Sequence, residues 1–155
     1  MIYAGIDPGV SGGVVIMNGY ETSCYSCPKT VKDMADVLYP LKGRNDVRVG
    51  IESVHSMPGQ GVASTFKFGK NFGEWLGILA SFRVPYELIT PVKWMKFYGS
   101  YPKEKNLRKV HFKNLAQQRV PAIIITLKTS DAVLIANYIK EKYSTSENDL
   151  GQPRE

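Results

Sequence analysis

The chain has 155 residues, 43% of them hydrophobic, which suits one globular domain with its own core and argues against disorder. Its formal net charge is +6 and its pI is near 9.3, so an acidic partner is expected, nucleic acid being the commonest. No apolar run is long enough to span a membrane and the N-terminus has no signal-peptide pattern, so an intracellular protein with no membrane partner is expected.

Met1 to Ile6 is a short apolar run with no polar face, the pattern of a strand buried on both sides, and it delivers Asp7 into a turn. Pro8-Gly9 and Gly12-Gly13 reverse the chain, and Val14 to Met17 returns as a second strand. Cys24 and Cys27 form a lone CxxC with no second pair, so two reduced thiols in a strand or at its end are expected rather than a zinc site. Val31 to Leu41 has helical apolar spacing, ended by Pro40, Gly43 and Asn45. Val47 to Glu52 alternates as a strand that ends in a carboxylate, and Ser53 to Gly61 is a loop. Ala63 to Phe82 reads as one long helix or two short ones, with Phe66, Phe72, Trp75, Leu76, Leu79 and Phe82 on its apolar face. Gly69, Gly73 and Gly77 recur at every fourth residue, a spacing that predicts close backbone packing.

Pro85 to Ile89 is a further strand, after which Thr90 and Pro91 hold the N-cap and first positions of a helix that stops near Gly99. Pro102 to Gln118 is a basic helix, Ala122 to Thr126 a strand-like loop, and Thr129 or Ser130 caps a last helix through about Lys142. The order of elements predicts one mixed α/β domain with a central sheet, residues 1–143, and a flexible tail over 144–155.

Three acids fall at telling places: Asp7 on the first strand, Glu52 at the end of the strand after the first helix, and Asp131 at the start of the last helix. Ligands at strand ends and helix starts cluster in space more readily than their sequence gaps suggest. Hard oxygen ligands favour Mg²⁺ or Mn²⁺, and two such ions can support phosphodiester hydrolysis. Each acid also has a plain structural reading: Asp7 as a turn cap, Glu52 as a lysine partner, Asp131 as a helix N-terminal anion. Between Lys93 and Arg119 stand eight cations (Lys93, Lys96, Lys103, Lys105, Arg108, Lys109, Lys113 and Arg119) against Glu104 alone, so the set of three acids has a basic neighbour. Phe66, Phe68 and Trp94 are candidates to stack on bases, although aromatics at helical spacing are more often core, Trp94 most of all.

Gly5-Ile6-Asp7-Pro8-Gly9, Ile51-Glu52-Ser53-Val54 and Ser130-Asp131-Ala132-Val133-Leu134-Ile135-Ala136 resemble the motifs of RuvC-type Holliday junction resolvases. Met57-Pro58-Gly59-Gln60-Gly61, followed by Ser64, Phe66, Gly69 and Gly73, and then Pro91-Val92-Lys93-Trp94, resemble the phage and organellar branch. The likeness runs from Met1 to about Tyr143. It implies a ribonuclease H-like fold, with a central mixed five-stranded sheet flanked by helices. It also implies a homodimer with two Mg²⁺ ions per active site, Mn²⁺ substituting, that cuts opposed strands of a four-way DNA junction in recombination and replication. A phage-encoded enzyme would act in the bacterial host cytoplasm. By motif match, Asp7, Glu52 and Asp131 are the metal ligands. Lys93 and Lys105 correspond to basic positions near the scissile phosphate, Lys105 with a catalytic part. Lys93, Lys96, Lys105, Arg108, Gln60, His55 and Lys128 are the expected DNA contacts.

The sequence departs from the family at one place. The family carries a fourth acid three or four residues before the Asp131 position, where this chain has Lys128 and Leu127. Lys128 either weakens a second metal site or supplies positive charge where a metal would sit; otherwise Glu74 or Asp149 folds in to replace the acid. The alternative function is therefore a junction-binding protein of the same fold that cuts poorly.

Overall fold

The computed structural model describes residues 1–53 and 61–149. Five strands form one sheet in the order β3-β2-β1-β4-β5. They are β1 (Ile2–Asp7), β2 (Gly13–Asn18), β3 (Glu21–Ser26), β4 (Val47–Glu52) and β5 (Tyr86–Ile89). The first three form an antiparallel meander, whereas β4 and β5 run parallel to β1, so the sheet is mixed. Among the described residues five α-helices flank it: α1 (Val31–Leu38), α2 (Val62–Ser81), α3 (Pro91–Phe97), α4 (Lys105–Arg119) and α5 (Ser130–Asp149). This is the expected α/β architecture, a central mixed five-stranded sheet flanked by helices. Among the described residues no helix is long and apolar enough to cross a membrane.

Strand alternation sorts the side chains into two cores. Ile2, Ala4 and Ile6 of β1 and Val47, Val49 and Ile51 of β4 pack with Met34, Leu38, Trp75 and Leu79 of α1 and α2. On the other face, Tyr3, Val15 and Met17 pack with Trp94, Phe112 and the buried side of α5. Gly5, Asp7, Gly50 and Glu52 alternate onto that α5 face, and Gly5 pairs directly with Gly50 in the parallel register. Both glycines are required by close approach. A Cβ on Gly5 would collide with Ala132 O and Ala136 N of the α5 backbone, and one on Gly50 would meet Ile135, Ile139 and Ile89. The last helix thus lies directly on the two strands that carry Asp7 and Glu52.

Several local expectations change. The Ala63–Phe82 pattern is one twenty-residue helix, and α5 continues beyond Lys142 to Asp149. Ala122 to Thr126 is the loop expected, with no strand pairing. Thr90 holds the N-cap position of α3, but its side chain makes no capping bond. The close packing expected at Gly69, Gly73 and Gly77 does not occur among the described residues, where a Cβ on any of them would meet nothing within 4 Å. Phe66 likewise leaves the apolar face, standing 70% exposed, because α2 buries the side that carries Trp75, Ile78 and Leu79. Cys24 lies in β3 and Cys27 just beyond it, both free and part-buried.

Candidate active site

Asp7 ends β1, Glu52 ends β4 and Asp131 is the second residue of α5. Because β1 and β4 are parallel neighbours, their C-terminal ends lie side by side, and α5 begins over that same end of the sheet. The turn after Asp7 is tight: a Cβ on Gly12 would collide with Asp7 O and lie 3.0 Å from its carboxyl carbon. The three acids are therefore gathered by strand order and helix placement rather than by sequence proximity.

Their electrostatics show the crowding. Burial raises the Asp7 carboxyl well above the ordinary carboxylate range, and the Glu52 and Asp131 charges raise it further, against the pull of Lys109. Burial pushes Glu52 up to about 7, opposed by a hydrogen bond from Trp94 and reinforced by Asp131. Asp131 is also raised by burial, with Ser130, Lys109 and Arg108 opposing. Like charges held together away from water call for a cation.

A cleft of about 170 Å³ is lined by Glu52 and Asp131, by Lys105, Arg108 and Lys109 of α4, and by Trp94, Met95 and Phe112. The basic helix is set there by its N-cap. Glu104 accepts from the backbone N–H groups of Asn106 (2.9 Å) and Leu107 (2.7 Å), which fixes where α4 begins. Residues 105, 108 and 109 then share one helical face. The structure places Lys105 and Arg108 in one cleft with Glu52 and Asp131, and adds Lys109. That residue stood in the basic run with no role of its own, although its spacing from Lys105 held the signal.

Lys93 and Lys96 stand exposed on α3 and do not line this cleft. Lys128 is exposed and lines a separate hollow of about 540 Å³ with Gly9, Val10, Ser11, Ser64, Lys67 and Phe68, beside the turn that follows Asp7. Lys109 of α4 lowers the proton affinity of both Asp7 and Asp131, and Arg108 of the same helix adds to that effect at Asp131. Glu74 pairs with Lys70 at 3.7 Å and lines another hollow with Cys27, so it does not replace the missing acid. Asp149 lies eighteen residues along α5 from Asp131, about 27 Å away at the helical rise. Trp94 is 2% exposed, which removes it as a base-stacking group. His55 and Gln60 lie outside the described residues.

Three hard carboxylates with raised proton affinity suit a divalent cation of the Mg²⁺ or Mn²⁺ type. Among the described residues no three His, Cys, Asp or Glu side chains are placed so that together they could hold a metal ion. The fit to such an ion is one of donor chemistry alone, and the first coordination shell would have to be completed by water or substrate, as Mg²⁺ commonly permits.

The fold has solved counterparts. A structure of Thermus thermophilus RuvC in complex with a Holliday junction substrate superimposes with a TM-score of 0.62 at 16% identity, covering 94% of this chain and 97% of that one. A second Thermus thermophilus RuvC structure gives 0.58 at 19% identity, covering 96% and 97%. The chain has the RuvC fold. No family model matches the sequence, and no curated protein matches it. The likeness to RuvC is thus one of backbone fold.

Proposed function

We propose that the chain is a divalent-metal-dependent endonuclease that nicks four-way and other branched DNA. One observation carries the reading: on a RuvC fold, Glu52 and Asp131 share a cleft with Lys105, Arg108 and Lys109 of α4, and Asp7 lies near enough to feel the charges of both acids and of Lys109. Asp7, Glu52 and Asp131 would hold Mg²⁺, two ions per site, with Mn²⁺ able to substitute. A divalent cation held there would supply Lewis-acid charge for water activation and for the leaving oxygen. The protein's own part is positional. Lys105 and Arg108 hold the phosphate at the mouth of the cleft, and Lys109 opposes the rise in proton affinity that burial gives Asp7 and Asp131. Lys93, Lys96 and Lys128 contact the DNA backbone farther out, with His55 and Gln60 as further contacts.

A homodimer supplies two such sites for two opposed strands. The open stripe Val62, Phe66, Gly69, Gly73 and Gly77 runs along one face of α2 and supports close approach of a second copy. The residue at 128 favours a second reading, a junction binder that cuts slowly, because an ammonium stands where the family places an acid.

The test is a labelled four-way junction incubated with the protein and Mg²⁺ or Mn²⁺, together with sedimentation of the protein alone. Paired symmetric nicks that vanish in Asp7→Asn support the nuclease. Tight binding without nicks, converted to cutting by Lys128→Asp, supports the binder. Failure to bind branched DNA above linear duplex sinks both.

A further inference from the structure

Glu52 is anchored in a way the other two acids are not. The Trp94 indole Nε1–H donates to Glu52 Oε1 at 2.7 Å. Among the described residues this is the one hydrogen bond to that carboxylate, and Oε2 receives none. The donor is firmly held. Trp94 is buried, its ring packs at 5.0 Å from Phe112 with a 57° tilt, and α3 starts two residues after β5. The acceptor is tied to the same point: Glu52 is registered against Ile89 of β5, and the Ser53 N–H donates to Ile89 O at 2.8 Å. Donor and acceptor thus hang from one corner of the sheet, and both line the cleft with Asp131.

The chemical type of the donor matters. A lysine or arginine in this place would neutralise Glu52 and compete with a bound cation. An indole N–H is neutral, donates only, and does not titrate. It can fix the carboxylate's rotamer and leave its negative charge available.

We propose that Trp94 is a positioning residue that holds Glu52 by Oε1 and so presents Oε2 to a divalent cation in the cleft. The proposal rests on the metal-dependent reading above. Groups that orient a metal ligand typically contribute about 10- to 100-fold to metal affinity.

The chain has two tryptophans, so its indole N–H NMR spectrum has two resonances, and Trp75 serves as an internal control for folding. Ca²⁺, as a non-catalytic probe, is expected to shift the Trp94 resonance and leave that of Trp75 in place, and Glu52→Gln is expected to abolish the shift. In Trp94→Phe, Ca²⁺ affinity by calorimetry falls about 10-fold. The Mg²⁺ concentration for half-maximal junction nicking rises in proportion, while the rate at saturating Mg²⁺ changes far less. Unaltered Ca²⁺ affinity in a folded Trp94→Phe overturns the proposal. So does a wild-type Trp94 resonance that ignores Ca²⁺ binding detected by calorimetry, a measurement that stands even if the variant does not fold. A wild type that neither binds Ca²⁺ nor nicks junctions marks instead the failure of the nuclease reading.

Discussion

Asn71 Oδ1 accepts the backbone N–H of Gly9 at 2.7 Å, tying the middle of α2 to the turn that follows Asp7. Gly9 sits at φ +112, and a Cβ there would lie 3.0 Å from the Phe68 ring, so the turn is clasped by α2 at two points. Asn71→Ala removes a neutral hydrogen bond worth about 1 kcal/mol, and Tm is expected to fall by about 2–4 °C. Nicking should fall more than junction binding, because the loss loosens the Asp7 turn without touching the basic helix. Thermal unfolding and single-turnover nicking test the two halves separately.

Metal-free stability should decrease as pH rises. Asp7, Glu52 and Asp131 all have folded-state proton affinities above the ordinary carboxylate range. Between the ordinary and the folded values the native state holds more protons than the unfolded chain, so unfolding free energy falls with increasing pH. For Glu52 that window runs from 4.5 to about 7. Denaturant midpoints in chelator are therefore expected to be higher at pH 5 than at pH 8, with Asp7→Asn flattening the dependence and raising stability at pH 8. Added Mg²⁺ should stabilise selectively at the higher pH. A pH-independent midpoint in chelator would contradict the crowding of the three acids.

Lys109→Gln removes a cation that lowers both Asp7 and Asp131. Both carboxyls then ionise at higher pH, and the acid limb of the nicking profile moves upward. Carboxyl-carbon NMR of the metal-free protein should show the same shift directly. Lys93→Gln, on an exposed face away from the cleft, should weaken binding without moving the limb.

Lys128→Ala is expected to weaken junction binding by about 1 kcal/mol or less and to reduce the salt slope by about one, the signature of one phosphate contact. Divalent-metal affinity should stay the same, since Lys109 of α4 lowers the proton affinity of both Asp7 and Asp131, and Arg108 that of Asp131. A gain in metal affinity would instead place the ammonium within reach of the acids.

Much of this arrangement was legible from residue order. A both-sides-apolar β1 ending in Asp7, an alternating β4 ending in Glu52 and a capped α5 starting near Asp131 each had a local signature, and parallel pairing of β1 with β4 did the rest. The glycine stripe of α2 misled, because periodicity reports which residues share a face and not whether that face meets anything in the same chain. The Trp94–Glu52 bond spans 42 positions, and neither residue type announces the other. Trp94 reads correctly as core, and nothing local reveals that the polar end of its ring emerges at a cleft. Lys109 was hidden differently: one of eight cations, it is singled out only once Glu104 sets the start of α4 and hence which face turns to the acids.

The contact of Gly5 with the backbone of α5 makes the spacing of Asp7 and Asp131 a property of main chain on main chain. No adjustable side chain lies between them to absorb a partial docking of the helix. A molecule in which α5 has lifted from β1 has no weakened site; it has none. Specific activity should therefore track the fraction of fully folded chains in a preparation, and variants that trim the acids should keep their outline and serve as binding-only copies of the same surface.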